Sequence, residues 1–146
     1  MKKYLGIFFA AIFSCALGYA ATQETGDATL QYKNQRGSSL EIKLHNVSDN
    51  SGTVTGTFKT AVADENCQNV IGEAHLVAGF YTGNSIAFSM NYPRCGAVVS
   101  VVGNFDKKKN IETLWIVANQ AQDASGEDWN TKRIGHDSFK LLKSNK

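Results

Sequence analysis

The stretch Thr53-Val54-Thr55-Gly56-Thr57-Phe58-Lys59-Thr60-Ala61-Val62 decides the fold of this chain. Its even positions carry Val54, Phe58 and Val62, and its odd positions carry Thr53, Thr55, Thr57 and Lys59. Successive side chains of an extended backbone point to opposite faces, so this alternation marks a strand with one face buried and one in water. Threonine and valine fit that state well, because branching at Cβ packs on a pleated surface.

The same period of two runs outward in both directions. Leu40, Ile42 and Leu44 alternate with Glu41 and Lys43, and Ile86, Phe88, Met90 and Tyr92 alternate with Ala87, Ser89 and Asn91. Turn-forming clusters separate the runs: Asp49-Asn50-Ser51-Gly52, Thr82-Gly83-Asn84 and Asp106-Lys107-Lys108-Lys109-Asn110. The spacing predicts eight strands, near 28–34, 38–47, 53–62, 71–80, 84–92, 96–105, 110–118 and 132–142. Short strands with short turns and no long helix between them predict an all-β, antiparallel up-and-down barrel, with a sandwich as the other solution. A closed barrel of eight strands has no free edge and encloses room for one small ligand.

Two segments depart from the polar-out rule. In Ile111-Glu112-Thr113-Leu114-Trp115-Ile116-Val117 both faces are apolar beyond Glu112, and Val98 and Val102 oppose Val99 and Val101. A barrel strand that is apolar on both faces has to bury its outer one, and a second subunit is the simplest cover.

Residues 1–20 read as a signal peptide, with Lys2 and Lys3 at the start, an apolar run from Leu5 to Leu17, and the cleavage pattern Gly18-Tyr19-Ala20. The run is short of the roughly 20 residues that a membrane-spanning helix needs. Cys15 raises a lipoprotein signal, but Phe13 stands where such a signal wants a small residue. Residues 21–146 then form one domain, secreted or periplasmic and not membrane-bound after cleavage. The chain carries 15 basic and 13 acidic residues. Both lysines of the leader leave with it, so the remainder is neutral, which argues against nucleic acid and anionic membrane as partners. Cys67 and Cys95 survive cleavage; an even count in an exported chain favours one disulfide over two buried thiols.

Nothing in the chain has the spacing of a catalytic or metal centre. His45, His75 and His136 share no metal-ligand spacing. His136 and Asp137 are adjacent on a strand, hence on opposite faces, and cannot form a relay. There is no phosphate-cradling glycine loop and no Gly-x-Ser-x-Gly elbow. The expectation is a binding protein rather than an enzyme, with no metal and no cofactor.

Four segments, in order, resemble the avidin–streptavidin family: Asn34-Gln35-Arg36-Gly37-Ser38; Gly56-Thr57-Phe58-Lys59-Thr60-Ala61-Val62; Thr113-Leu114-Trp115-Ile116-Val117; and Trp129 through Arg133-Ile134-Gly135-His136-Asp137-Ser138-Phe139. Each is weak alone, and the ordered set spans nearly the whole chain after the leader. The resemblance implies an avidin-like barrel with biotin as its ligand. It implies that Asn34 and Ser38 donate to the ureido oxygen, that Asp137 accepts one ureido N–H and Thr60 the other, and that Trp115, Phe58 and Tyr92 wall the bicyclic ring. Val62 and Asp64 complete the implied ligand set, and Trp129 matches the tryptophan that family tetramers insert into a neighbour's pocket. Cys67-Gln68-Asn69 and Cys95 resemble rhizavidin-type bacterial members, in which such cysteines join the loop after strand 3 to the loop after strand 5.

Strand parity agrees with this independently. Asn34, Thr60 and Asp137 each share a face with apolar residues: Leu30 and Tyr32, Phe58 and Val62, Phe139 and Leu141. Polar groups facing a barrel interior need partners, supplied by a ligand or, in a filled barrel, by each other and trapped water.

The chain also departs from the family pattern. Phe58 stands where a tyrosine commonly supplies a third donor to the ureido oxygen. Ala97, Val99 and Val101 align with a serine, a threonine and an aromatic, and Tyr92 with a tryptophan. The resemblance therefore implies a ureido end that is mostly kept and a more apolar sulfur and tail end. The alternatives to biotin are another small cyclic urea or amide, no ligand at all, or an exported barrel whose loops bind or inhibit a protein. Leu114, Ile116, Ile134 and His136 fall at positions that family tetramers use between subunits, so a homo-oligomer is expected, a tetramer ahead of a dimer.

Overall fold

The computed structural model describes residues 28–120 and 132–145; the leader, Cys15 and Trp129 lie outside them. Eight strands form one closed antiparallel barrel in sequence order: β1 (Ala28–Asn34), β2 (Ser39–Ser48), β3 (Ser51–Lys59), β4 (His75–Thr82), β5 (Ser85–Tyr92), β6 (Ala97–Phe105), β7 (Ile111–Asn119) and β8 (Lys132–Asn145). β1 pairs with β8 as well as with β2, so no edge strand remains. The sandwich solution is thereby excluded.

Alternation does what the sequence promised. Along β5, Ile86, Phe88, Met90 and Tyr92 are buried and Ser85, Ala87, Ser89 and Asn91 are exposed. His136 is exposed and Asp137 buried, as adjacent strand residues must be. The interior is divided in use: Leu30, Tyr32, Leu40, Ile42, Val54 and Ile111 are buried and fill the part away from the cavity. Phe88, Met90, Val101 and Phe139 are buried too, and face a cavity. Tight turns join strands at one end, at residues 49–50, 83–84 and 106–110, while the other end carries the 34–38 turn, the 60–74 loop and the 93–96 turn.

The predicted bounds hold closely except around the third loop. β3 ends at Lys59 rather than at residue 62, and β4 begins at His75 rather than at 71. The reason is local. The Thr60 hydroxyl accepts a hydrogen bond from the Val62 amide and donates to the Val62 carbonyl, a side-chain turn that competes with the ladder. A short 3-10 turn follows over Glu65–Val70, and Gly72, at φ 74°, donates its amide back to the Thr60 carbonyl. Val62 is thus on a loop and half exposed, not the inward strand residue that its parity suggested.

Cys67 on that loop is bonded to Cys95 in the short turn Pro93–Cys95, with Cα atoms 5.7 Å apart at a sequence separation of 28. The bridge ties the loop after β3 to the turn after β5. The chain-entropy relation makes a bridge of this span worth about 3–4 kcal/mol. Replacing both Cys67 and Cys95 by serine should lower the unfolding free energy by about that amount in urea titrations; a change below about 1 kcal/mol would show that the loop is held by its hydrogen bonds instead.

Candidate functional site

The loop end of the barrel opens into a cavity of about 740 Å³. At its inner, polar end stands Asp137, on the inward face of β8 and 9% exposed. Its carboxylate is held by three consecutive residues of the β1–β2 turn. Asn34 Nδ2 donates to Oδ2 at 3.1 Å, Gln35 Nε2 donates to Oδ1 at 3.0 Å, and Arg36 Nε lies 3.3 Å from Oδ1. The turn is itself rigid: Asn34 Oδ1 accepts the amides of Arg36 and Ser38, at 3.1 and 2.8 Å, and Gly37 takes φ 93°, which only glycine adopts freely. Thr113 on β7 donates its hydroxyl to the Asp137 carbonyl at 2.8 Å, fixing the strand beneath.

Two hydroxyls face the same end. Ser38 is 2% exposed, and its oxygen accepts the Ala61 amide at 3.0 Å, which leaves the hydroxyl hydrogen to point elsewhere. Thr60 uses its hydrogen on Val62, as described, and retains acceptor capacity on the oxygen.

The walls are apolar and aromatic. Phe58 packs edge-on to Phe139 with centroids 6.3 Å apart. Trp115 lies across from Gly135 in the β7–β8 ladder, and a Cβ at Gly135 would come within 2.1 Å of the indole; the glycine is what lets the ring lie against the strand. Tyr92 stacks on His75 at 4.1 Å between centroids, and His75 Nδ1 sits 3.1 Å from the Asn91 carbonyl. Ala97, Val99 and Val101 line the β6 side. Nearer the mouth are Val62, Asp64 and the two bridged cysteines, and Arg133 donates to both carboxylate oxygens of Asp64 at 2.6 Å.

Of the residues singled out from sequence, the structure gathers Ser38, Phe58, Thr60, Val62, Asp64, Tyr92, Trp115 and Asp137 around one cavity. Asn34 stands behind Asp137 rather than on the lining. Trp129 lies outside the described residues. Sequence reasoning passed over Arg36, Gln35, Thr113, His75 and Arg133. Arg133 and Thr113 were within reach of it, since they share inward parity with Asp137 and Trp115 respectively. The two turn residues were not, because side chains in a turn follow no period.

A closed eight-stranded antiparallel barrel with one deep, aromatic-walled cavity at its loop end is the architecture of the barrels that enclose single small ligands. The model of the Avidin family matches residues 22–142, and the chain belongs to that family. Among solved structures it resembles core-bradavidin, with 27% identity and a TM-score of 0.64 over 78% of this chain and 99% of that one. It also resembles bradavidin, with 25% identity and a TM-score of 0.65 over 82% and 83% of the two chains. A biotin binding protein from chicken shares the fold at 21% identity, with a TM-score of 0.62 over 77% and 94%. Comparison with curated proteins gives no match.

Burial pushes the Tyr92 phenol up to about 12 from 10.0, and burial and the charge of Asp106 also raise Tyr32. A group that keeps its proton longer when folded contributes stability that is full below its unfolded value and lost as pH rises through the folded one. Stability should therefore fall between pH 10 and pH 12, and Tyr92→Phe should flatten that decline in urea midpoints measured across the window. An unchanged slope would mean that Tyr92 is no more shielded than in the unfolded chain.

Proposed function

We propose that this barrel binds biotin. The observation that carries the reading is Asp137, a carboxylate buried at the inner end of an aromatic-walled cavity that is also lined by the hydroxyl-bearing Ser38 and Thr60. A cyclic urea has one carbonyl acceptor and two N–H donors, and burying each without a partner costs about 2–7 kcal/mol. The cavity offers a matching set. The hydroxyl hydrogen of Ser38 serves the ureido oxygen, Asp137, held from behind by the Asn34 amide, accepts one N–H, and the remaining acceptor capacity of Thr60 takes the other. Phe58, Tyr92 and Trp115 close on the ring faces, Val62 and Asp64 stand along the tail, and Trp129 of a neighbouring subunit completes the cover. The protein acts as a binder and not as an enzyme, outside the cytoplasm, where the leader would deliver it and where its disulfide is stable.

A second reading has its own observation. Ala97, Val99 and Val101 line the cavity with no hydrogen-bonding side chain, which favours a cyclic urea or amide with a more apolar remainder than biotin. Calorimetric titration decides between the two readings. Measurable heat with biotin supports the first, whereas silence at millimolar biotin, in both heat and thermal shift, with binding of 2-imidazolidinone, supports the second.

In the first case Asp137→Ala should weaken biotin binding by about 2 kcal/mol or more, because it removes a charged acceptor from a dry site. Phe58→Tyr should tighten it by about 1 kcal/mol by adding a donor. If neither substitution changes the affinity, the assignment of residues fails even with the fold intact.

We also propose that the protein assembles through the outer face of β4 to β8. The ladder registers place Phe80, Ala87, Val102, Leu114 and His136 side by side across five strands. Phe80, Val102 and Leu114 are 70%, 55% and 57% exposed, and Ile134 nearby is 72% exposed. A contiguous apolar row of this kind suits a self-complementary twofold contact. A homotetramer is expected by light scattering, in line with a shared Trp129. A monomer would refute the interface, and a stable dimer would keep the row while leaving the shared tryptophan unsupported.

A further inference from the structure

The side chain of Arg36 has two attachments, and both are made to residues that a ligand would need. Its Nε lies 3.3 Å from Asp137 Oδ1, and its guanidinium carbon sits 5.8 Å from the centroid of the Trp115 ring. It is also part of the cavity lining, while 44% of its side chain is open to solvent. The backbone beneath it is fixed, since its amide donates to Asn34 Oδ1. Only the side chain is free to leave.

A carboxylate offers about four lone-pair directions. Here Oδ1 already receives Gln35 and Arg36, and Oδ2 receives Asn34. One direction on Oδ2 remains, so the hydrogen-bonding capacity of Asp137 is not the obstacle. The obstacle is place: a planar cation over an indole occupies the face on which a flat ligand ring would stack.

We infer that Arg36 is a latch on the empty site, and a specificity-determining residue: it covers the Trp115 face while paired with Asp137, and a neutral ring binds only after displacing it. The latch costs affinity for neutral ligands and compensates the buried carboxylate when the site is empty. Because the arginine end of the pair is 44% open to solvent, although the carboxylate is only 12% so, salt screens it in part, and ligand affinity should rise with ionic strength, the reverse of an ordinary charge-assisted complex. The ligand arm of this inference rests on the biotin reading; the latch itself does not.

The test therefore has two arms. In the first, biotin is titrated into the wild-type chain, Arg36→Leu and Arg36→Lys at low and at about 1 M salt. Arg36→Leu should bind roughly fivefold or more tightly, the scale of one ion pair with an exposed arginine plus one cation–π contact, and lose the salt dependence. Arg36→Lys keeps the charge but not the planar stack and should fall between. Equal or weaker binding by Arg36→Leu, or an unchanged salt dependence, overturns the latch. In the second arm no ligand is present. The chain has two tryptophans, so in a Trp129→Phe background the fluorescence comes from Trp115. Acrylamide quenching should increase with salt when Arg36 is present and should be high and flat in Arg36→Leu. Quenching that ignores both salt and the substitution overturns the latch. Salt-released quenching without biotin binding by any variant supports the latch and removes the biotin reading alone.

Discussion

The structure depends on one hydrogen bond across the seam of the barrel, from Asn34 at the end of β1 to Asp137 on β8, two residues 103 positions apart. A closed sheet has to return its last strand to its first in the correct register, because a slip of one residue would turn every side chain to the wrong face. The β1–β8 ladder is interrupted by an irregularity between Gln31 and Tyr32, so backbone pairing alone does not carry one register along its whole length. Polar side chains carry the register past the end of the strand. Gln35 donates to Asp137 and accepts the Ser138 amide at 3.0 Å, extending the seam into the turn. The same contacts satisfy a carboxylate that would otherwise be costly to bury. Barrel closure and the polar end of the cavity are therefore one construction, and any change to Asp137 acts on both.

That double role explains what sequence could and could not disclose. Alternation in β2, β3 and β5 identifies the inward faces without help, because strand parity is a purely local property. Turn clusters mark the tight end for the same reason. The loop from Thr60 to Ala74 is different. Its residues continue the apolar–polar rhythm through Val62, and only the competing turn at Thr60 and the bridge from Cys67 break it. Two of the three partners of the Asp137 carboxylate were equally hidden. Gln35 and Arg36 stand next to Asn34 in sequence and reach the same carboxylate from a turn, where neither a period of two nor a motif assigns direction. Long-range closure brings them to Asp137, and no window of local sequence contains it.

The inner face has a polar and an apolar zone, and the ladder shows why they sit where they do. Gly103, Thr113 and Asp137 are aligned across β6, β7 and β8, and the next inward row holds Val101, Trp115 and Gly135. A glycine stands in each row. The one at 135 gives the indole room against the strand, and the one at 103 lies within 2.9 Å, by its would-be Cβ, of the Thr113 methyl. Small residues opposite large ones let a narrow barrel keep both a tryptophan and an open volume, where uniform side chains would fill the space. This is the physical difference between the filled part of the interior, packed by Tyr32, Leu40 and Ile42, and the hollow part.

The same two strands also face outward with apolar side chains, and this ties the cavity wall to the surface. Val101 and Trp115 point in while Val102 and Leu114, one step along, point out. Each inward wall residue is thus covalently adjacent to a member of the exposed row. A contact on the outer row restrains the backbone that carries Val101 and Trp115, and it does so without touching the ligand space. Val101 and Trp115 face open volume, where a filled core would press against them. A cover on the outer row of the kind proposed above would supply packing that the cavity withholds, which gives a physical reason for β6 and β7 to be apolar on both faces.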